Sequence, residues 1–201
     1  MNFIAKKVPT DQRILAAFQQ LIINNGYFGT TTKKIAAVAQ INESTLFRHF
    51  ATKEDLLNRL LEQNQTDLIT VINQFQISGD PIADLLRAAK GYLNYVDTHR
   101  ALFLLGIRES YANANLNQAI RQAPELFNQL VFEKIMTQYH LTTPSEKAKQ
   151  QIHLQNFFTI LFGQATLKVT YPDSFLTKPD EKFLNENLRL LAQEIFRNQN
   201  T

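Results

Sequence analysis

The heptapeptide STLFRHF, residues 44–50, gathers two hydroxyls, two phenyl rings, a guanidinium and an imidazole on one short segment. At helical spacing Leu46 and Phe50 share one face, which leaves Ser44, Thr45, Phe47, Arg48 and His49 on the other. That outward set suits a nucleic acid. Ser, Thr and Arg donate to phosphates and base edges, and Phe can press on a thymine methyl. Glu43, just before them, fits such a face if it accepts from a cytosine amine or is simply solvated. An ordinary solvated surface helix uses the same residue types, so the surrounding elements must decide.

Other chemistries find little support. With no Cys, disulfides, thiolate metal sites and a Cys nucleophile are excluded. The six glycines never form GxG, a phosphate-cradling loop or GxSxG. His49, His99, His140 and His153 lie far apart, with no HExxH. The carboxylate pairs Glu54-Asp55 and Asp180-Glu181 stand at expected helix starts, where the macrodipole accounts for them. We therefore expect no enzyme, no cofactor and no metal site. The apolar run ALFLLGI, residues 101–107, is far short of a membrane span, and MNFIAKKVPTDQR lacks a signal-peptide core. The expectation is a soluble cytoplasmic protein with no membrane partner.

Charge is unevenly spread. The net charge is +3, but residues 1–60 hold eight basic groups against four acidic ones, while the other 141 residues hold 13 against 14. A basic front on a neutral body points to a polyanion met by the first segment, although a few charges can also cluster by chance.

Helical periodicity dominates the chain and no alternating strand is evident, so the fold class is all-α, with about nine helices. Ile14, Ala17, Phe18, Leu21 and Ile22 mark a first helix, capped by Thr10 or Asp11 and stopped by Asn25-Gly26. TTTKKIAAVAQ reads as a short second helix and INESTLFRHF as a third, with Asn42 as its cap. Thr52 and Asp55 form an acidic capping box for a long fourth helix that carries Leu56, Leu57, Leu60, Leu61, Leu68 and Ile72. After the break QISGDP, Pro81 opens a new helix. Further helices are expected near 81–97, 99–109, 116–122, 124–140, 145–171 and 179–198. Two domains follow: a helix-turn-helix domain over 1–55 and a larger helical domain over 56–201.

A medium helix, a short helix, a tight turn and another short helix is the helix-turn-helix arrangement. It needs a small residue where the short helices cross, and Ala36 serves. It needs apolar pins, and Ile41, Leu46 and Phe50 serve. A small three-helix bundle with a solvated polar face satisfies the same pattern.

Residues 13–57, RILAAFQQLIINNGYFGTTTKKIAAVAQINESTLFRHFATKEDLL, resemble the DNA-binding domain of the TetR family of transcriptional regulators. The matching features are AxxLI before NNGY, the Thr run, IA followed by Ala39 and Ile41, TLFRHF, and TKEDLL. The resemblance implies that Thr32, with Lys33 beside it, touches backbone phosphate, and that Ser44, Thr45 and Arg48 read bases. It places Phe47 and His49 at the DNA backbone and Lys53 at a phosphate on the fourth helix. Two departures stand out. Phe47 replaces the usual Tyr and loses its hydroxyl. Gln40 replaces a usual turn Gly, which is costly if that residue needs a positive φ.

The resemblance further implies a homodimeric repressor on an inverted-repeat operator, released by a small, largely apolar effector. The dimer interface would draw on Ile152, Phe158, Phe162, Thr166, Leu188, Leu191 and Ile195, although those stripes could equally serve the subunit's own core. The effector site would draw on Phe103, Arg108, Tyr111, Phe127 and Phe157, within an aromatic cluster that also includes Tyr92, Tyr95, Phe132 and Phe158 and is mostly core. The rival from another class is a helical protein–protein interaction module without DNA binding.

Overall fold

Residues Ile14, Ala17, Phe18, Leu21 and Ile22 fall on one stripe of the first helix, and all five are buried. The computed structural model describes residues 8–109, 114–139, 144–174 and 180–196, and every regular element among them is helical. In chain order these are α1 (Thr10–Asn25), α2 (Thr32–Val38), α3 (Glu43–His49), α4 (Lys53–Gln74), α5 (Pro81–Thr98), α6 (Arg100–Glu109), α7 (Ala114–Gln138) and α8 (Pro144–Thr170). The ninth, α9, is composite: α-helical Asp180–Lys182, π-helical Phe183–Leu188 and α-helical Arg189–Phe196.

Helix ends follow the sequence in part. Thr52 and Asp55 form the expected reciprocal box, with Thr52 N donating to Asp55 Oδ2 at 2.9 Å and Asp55 N donating to Thr52 Oγ1 at 3.0 Å. Asp80 caps α5 by accepting from the amides of Ile82 and Ala83, both at 3.0 Å, and Pro81 takes the first position. Gly26, at φ 70°, closes α1. Two caps differ from expectation. The cap of α1 is Pro9, with Thr10 already helical and no side-chain bond. Asn42 holds the cap position of α3 through its backbone alone.

The expected break at Pro124 is also absent, and α7 runs through it unbroken. Proline removes one N–H from the ladder. Burial of Phe127, Val131 and Ile135 at helical spacing on its far side supplies the stabilisation that carries the helix on.

The chain forms two compact units, Met1–Gln65 with Arg100–Ile120, and Thr66–His99 with Arg121–Thr201. In the first, α1, α2, α3 and the start of α4 share one core with Ala101, Leu102 and Leu105 of α6. In the second, the Arg189–Phe196 segment of α9 packs on α5 and α8, its π-helical segment packs on α5, and α5 packs on α8. Its core includes Leu85, Tyr92, Phe127, Phe157, Leu161, Leu188 and Ile195.

A polar clasp holds the α4–α5 connection within that second unit. The Asp84 carboxylate is fully buried and accepts from the Ser78 hydroxyl at 2.7 Å and the Ser78 amide at 3.0 Å. Tyr139 and Arg87 also donate to it. Burial works against its charge, but the bonds from Tyr139 and Ser78 and the Arg87 charge outweigh that, holding its pKa below the ordinary value. Burial and this bond push the Tyr139 phenol up to about 12.

Candidate nucleic-acid interface

The turn between α2 and α3 decides how the third helix is aimed. The Ile41 amide donates to the Ala36 carbonyl at 3.0 Å, and the Gln40 amide donates to the Ala37 carbonyl at 3.1 Å. This is a Schellman closure, which needs its middle residue in the left-handed region. Gln40 occupies that place at φ 55°, so the costly alternative is the one this turn adopts. From α1, Arg13 donates to the carbonyls of Ala39 and Gln40, the latter at 3.0 Å, and so ties the turn to the first helix.

That closure sets α3 down on its neighbours. Leu46 is fully buried, Ala36 is buried at the crossing, and Ile41 and Phe50 pack against the same core. Ser44, Phe47, Arg48 and His49 are exposed, and Thr45 is half-buried. Phe47 stands out, since a large aromatic ring 47% exposed has no stake in the core. His49 lies 3.5 Å from Asp11 of α1.

The α1–α2 loop is fastened at several points. Thr31 caps α2, accepting from the Lys34 amide at 3.3 Å. Buried Thr30 donates to the Gly26 carbonyl at 2.7 Å. Lys53, at the start of α4, donates to the carbonyls of Tyr27 at 2.9 Å and Thr30 at 3.1 Å, and lies 4.1 Å from the centroid of the Tyr27 ring. Its partial burial lowers its pKa. The ammonium expected at a phosphate is thus also a clip for this loop, which no local pattern announced, because backbone carbonyls leave no mark in the sequence. Lys33 is exposed and Thr32 half-buried. The Thr32 hydroxyl donates to Glu43 Oε1 at 2.5 Å, giving that carboxylate a specific partner.

The residues considered for an effector site divide between the units. Phe103 and Arg108 lie on α6 in the first, where Arg108 donates to the Ile23 carbonyl at 2.9 Å. Tyr111 and the Phe132 side chain lie outside the described residues. In the second unit a cavity of about 260 Å³ is lined by Phe127, Tyr92, Phe158, Asn128, Gln155 and Phe162, among others. Phe157 is fully buried and meets Phe158 edge-on, with ring centroids 5.6 Å apart. Burial pushes the Tyr92 phenol far above its ordinary range. Tyr92 and Phe158 were not assigned to an effector site from the sequence, where aromatics facing a cavity look like those filling a core.

The residues considered for an interface also divide. Ile152 is 60% exposed and Phe162 43%. Thr166 is half-buried, with its hydroxyl donating to the Phe162 carbonyl at 2.8 Å, and Leu191 is half-buried. Phe158 turns to the cavity instead. Leu188 and Ile195 correct the expectation, since they are buried within the chain's own core and leave no surface for a partner. The apolar residue that α9 does present is Leu190, 67% exposed. Among the described residues, no group of acidic and His side chains is placed to hold a metal ion, and no helix is long and apolar enough to cross a membrane.

Residues 14–60 match the family described as bacterial regulatory proteins, tetR family. Over 192 residues the chain is 29% identical to the HTH-type transcriptional regulator YvkB of Bacillus subtilis (strain 168), covering 93% of this chain and 97% of that one. In three dimensions it is similar to Salmonella enterica GusR, with a TM-score of 0.70 at 17% identity, covering 98% of this chain and all of that one. A TetR-family regulator from Mesorhizobium loti gives a TM-score of 0.69 at 17% identity, covering 94% and 95% of the two chains. At such identities the structural likeness speaks for the fold alone.

Proposed function

We propose that the chain, whose residues 14–60 match the tetR family of bacterial regulatory proteins, is a sequence-specific DNA-binding transcriptional regulator of the cytoplasm. One observation carries the reading. A short helix is pinned by Leu46 and a Schellman turn so that Ser44, Phe47, Arg48 and His49 all project from the protein together. A recognition helix enters a major groove with such a set. Arg48 reads a base edge, Ser44 and Thr45 assist it, and Lys33, the backbone amide of Thr32, His49 and Lys53 supply the phosphate side. Phe47 makes an apolar contact where a hydroxyl is more usual.

In this reading the protein is a homodimer, because one short helix reads too few bases. Its two recognition helices meet half-sites of an inverted repeat about 34–36 Å apart, or a multiple of that. The exposed Ile152, Phe162 and Leu190 support pairing through α8 and α9. Repression is relieved by a small, largely apolar ligand, for which the cavity beside Tyr92, Phe127 and Phe158 is the candidate site. Release requires that the ligand prefer the spacing that does not fit DNA.

Selection of bound duplexes from a random pool, followed by a salt titration on the enriched site, tests the reading. The expected result is an inverted repeat whose log K falls steeply with log salt. Arg48→Ala should erase about 10- to 100-fold of the preference for that site over random duplex. A protein with no salt-dependent duplex affinity would instead be a helical partner-binding module.

A further inference from the structure

Across α2, the turn and α3, residues 32–49, Glu43 is the sole acidic residue, and it opens the helix that carries the exposed set. Among the described residues no cation pairs with it, and its partner is the Thr32 hydroxyl, 2.5 Å from Oε1. An unneutralised carboxylate facing a polyanion costs affinity everywhere unless it gains something at a specific base. Its position favours such a gain. The first residues of a recognition helix are those that reach base edges.

We propose that Glu43 is a specificity-determining residue that accepts from the exocyclic amine of cytosine at one position of each half-site, and that Thr32 is its positioning residue. This rests on the DNA-binding reading above. An ionised carboxylate only accepts, so it rejects the O6 and N7 acceptors of guanine and the O4 acceptor of thymine. Adenine offers an amine too, but its adjacent N7 faces the second carboxylate oxygen with another lone pair. Cytosine has a C–H there, so it is preferred. The Thr32 hydroxyl, held on the first turn of α2, takes one oxygen of the carboxylate and restricts its rotamers. Less side-chain freedom is then lost on docking. Phe47, one helical turn after Glu43 on the same edge of α3, shields that contact from water on one side.

The experiment is selection from a random duplex pool with the full-length protein, run on the wild type, Glu43→Gln, Thr32→Val and Thr32→Ser. The wild type should enrich cytosine at one position in each half-site. Glu43→Gln should cut that preference about 10- to 100-fold at that position alone. Thr32→Val should relax the same position by a smaller factor, and Thr32→Ser, which keeps the hydroxyl, should retain the preference. If Glu43→Gln keeps the wild-type base preferences and binds specific and random duplexes more tightly by one common factor, Glu43 is merely a repulsive charge and the proposal is overturned. A wild type without duplex affinity would overturn the regulator reading itself, and this one with it.

Discussion

Gln40 adopts a conformation that its type disfavours, and nothing about its side chain compensates. It is exposed, with no hydrogen bond from its amide group among the described residues, and it serves the turn only through its backbone. A left-handed non-glycine residue costs about 1–2 kcal/mol, partly offset because glycine loses more freedom on folding. Gln40→Gly should therefore stabilise the protein by about 0.5–1 kcal/mol, seen as a higher urea midpoint at unchanged m. An unchanged or lower midpoint would show that the turn is not strained. The question at this residue was raised only by the glycine usual there in the family the sequence resembles, and the backbone alone answers it. Its neighbours were less legible. The sequence placed Lys53 and Thr32 on the DNA side, yet a carbonyl clip and a bond to Glu43 depend on distances that spacing does not encode.

At the level of the element, the reciprocal signal of Thr52 with Asp55 was read correctly, whereas some one-sided ones were not. Thr52 with Asp55 names both partners of its cap, whereas Asn42 names one and its side chain goes unused. Pro124 looked like a break because proline is judged locally, while its helix is held by burial further along. The clasp around Asp84 was missed entirely, since Ser78, Asp84, Arg87 and Tyr139 share no pattern. It carries a prediction about acid. The folded-state pKa of Asp84 is depressed, so its contribution is full above the unfolded value of 3.8 and is lost as pH falls through the folded value. Asp84→Asn should cost about 3 kcal/mol at neutral pH, because it strips the charge from buried donors. The gap to wild type should narrow steadily below about pH 4. Parallel stability curves for the two proteins from pH 7 to pH 2 would remove the clasp from the account.

For the whole molecule, the all-α class followed from periodicity alone, but which apolar stripe turns outward did not. LRLLAQEIF, residues 188–196, offers two candidate faces, and only packing shows that Leu188, Ala192 and Ile195 go inward while Leu190 does not. Likewise the membership of α6 in the first unit depends on Ala101, Leu102 and Leu105 meeting that core, which a local reading cannot foresee. The outward face makes the proposed dimer testable without disturbing the fold. Leu190→Glu changes a side chain 67% exposed, so the helical content and urea midpoint of the monomer should hold, while a charge buried against a second copy is costly. Sedimentation should then report a species near 23.1 kDa in place of one twice as heavy. Operator affinity should fall about 10²- to 10⁴-fold, because two half-sites are no longer engaged together. Leu188→Glu is the contrast: with no exposed surface it should unfold the second unit outright. A Leu190→Glu protein that stays dimeric and keeps its operator affinity would move the interface off this face of α9, leaving the exposed Ile152 and Phe162 of α8 to account for pairing.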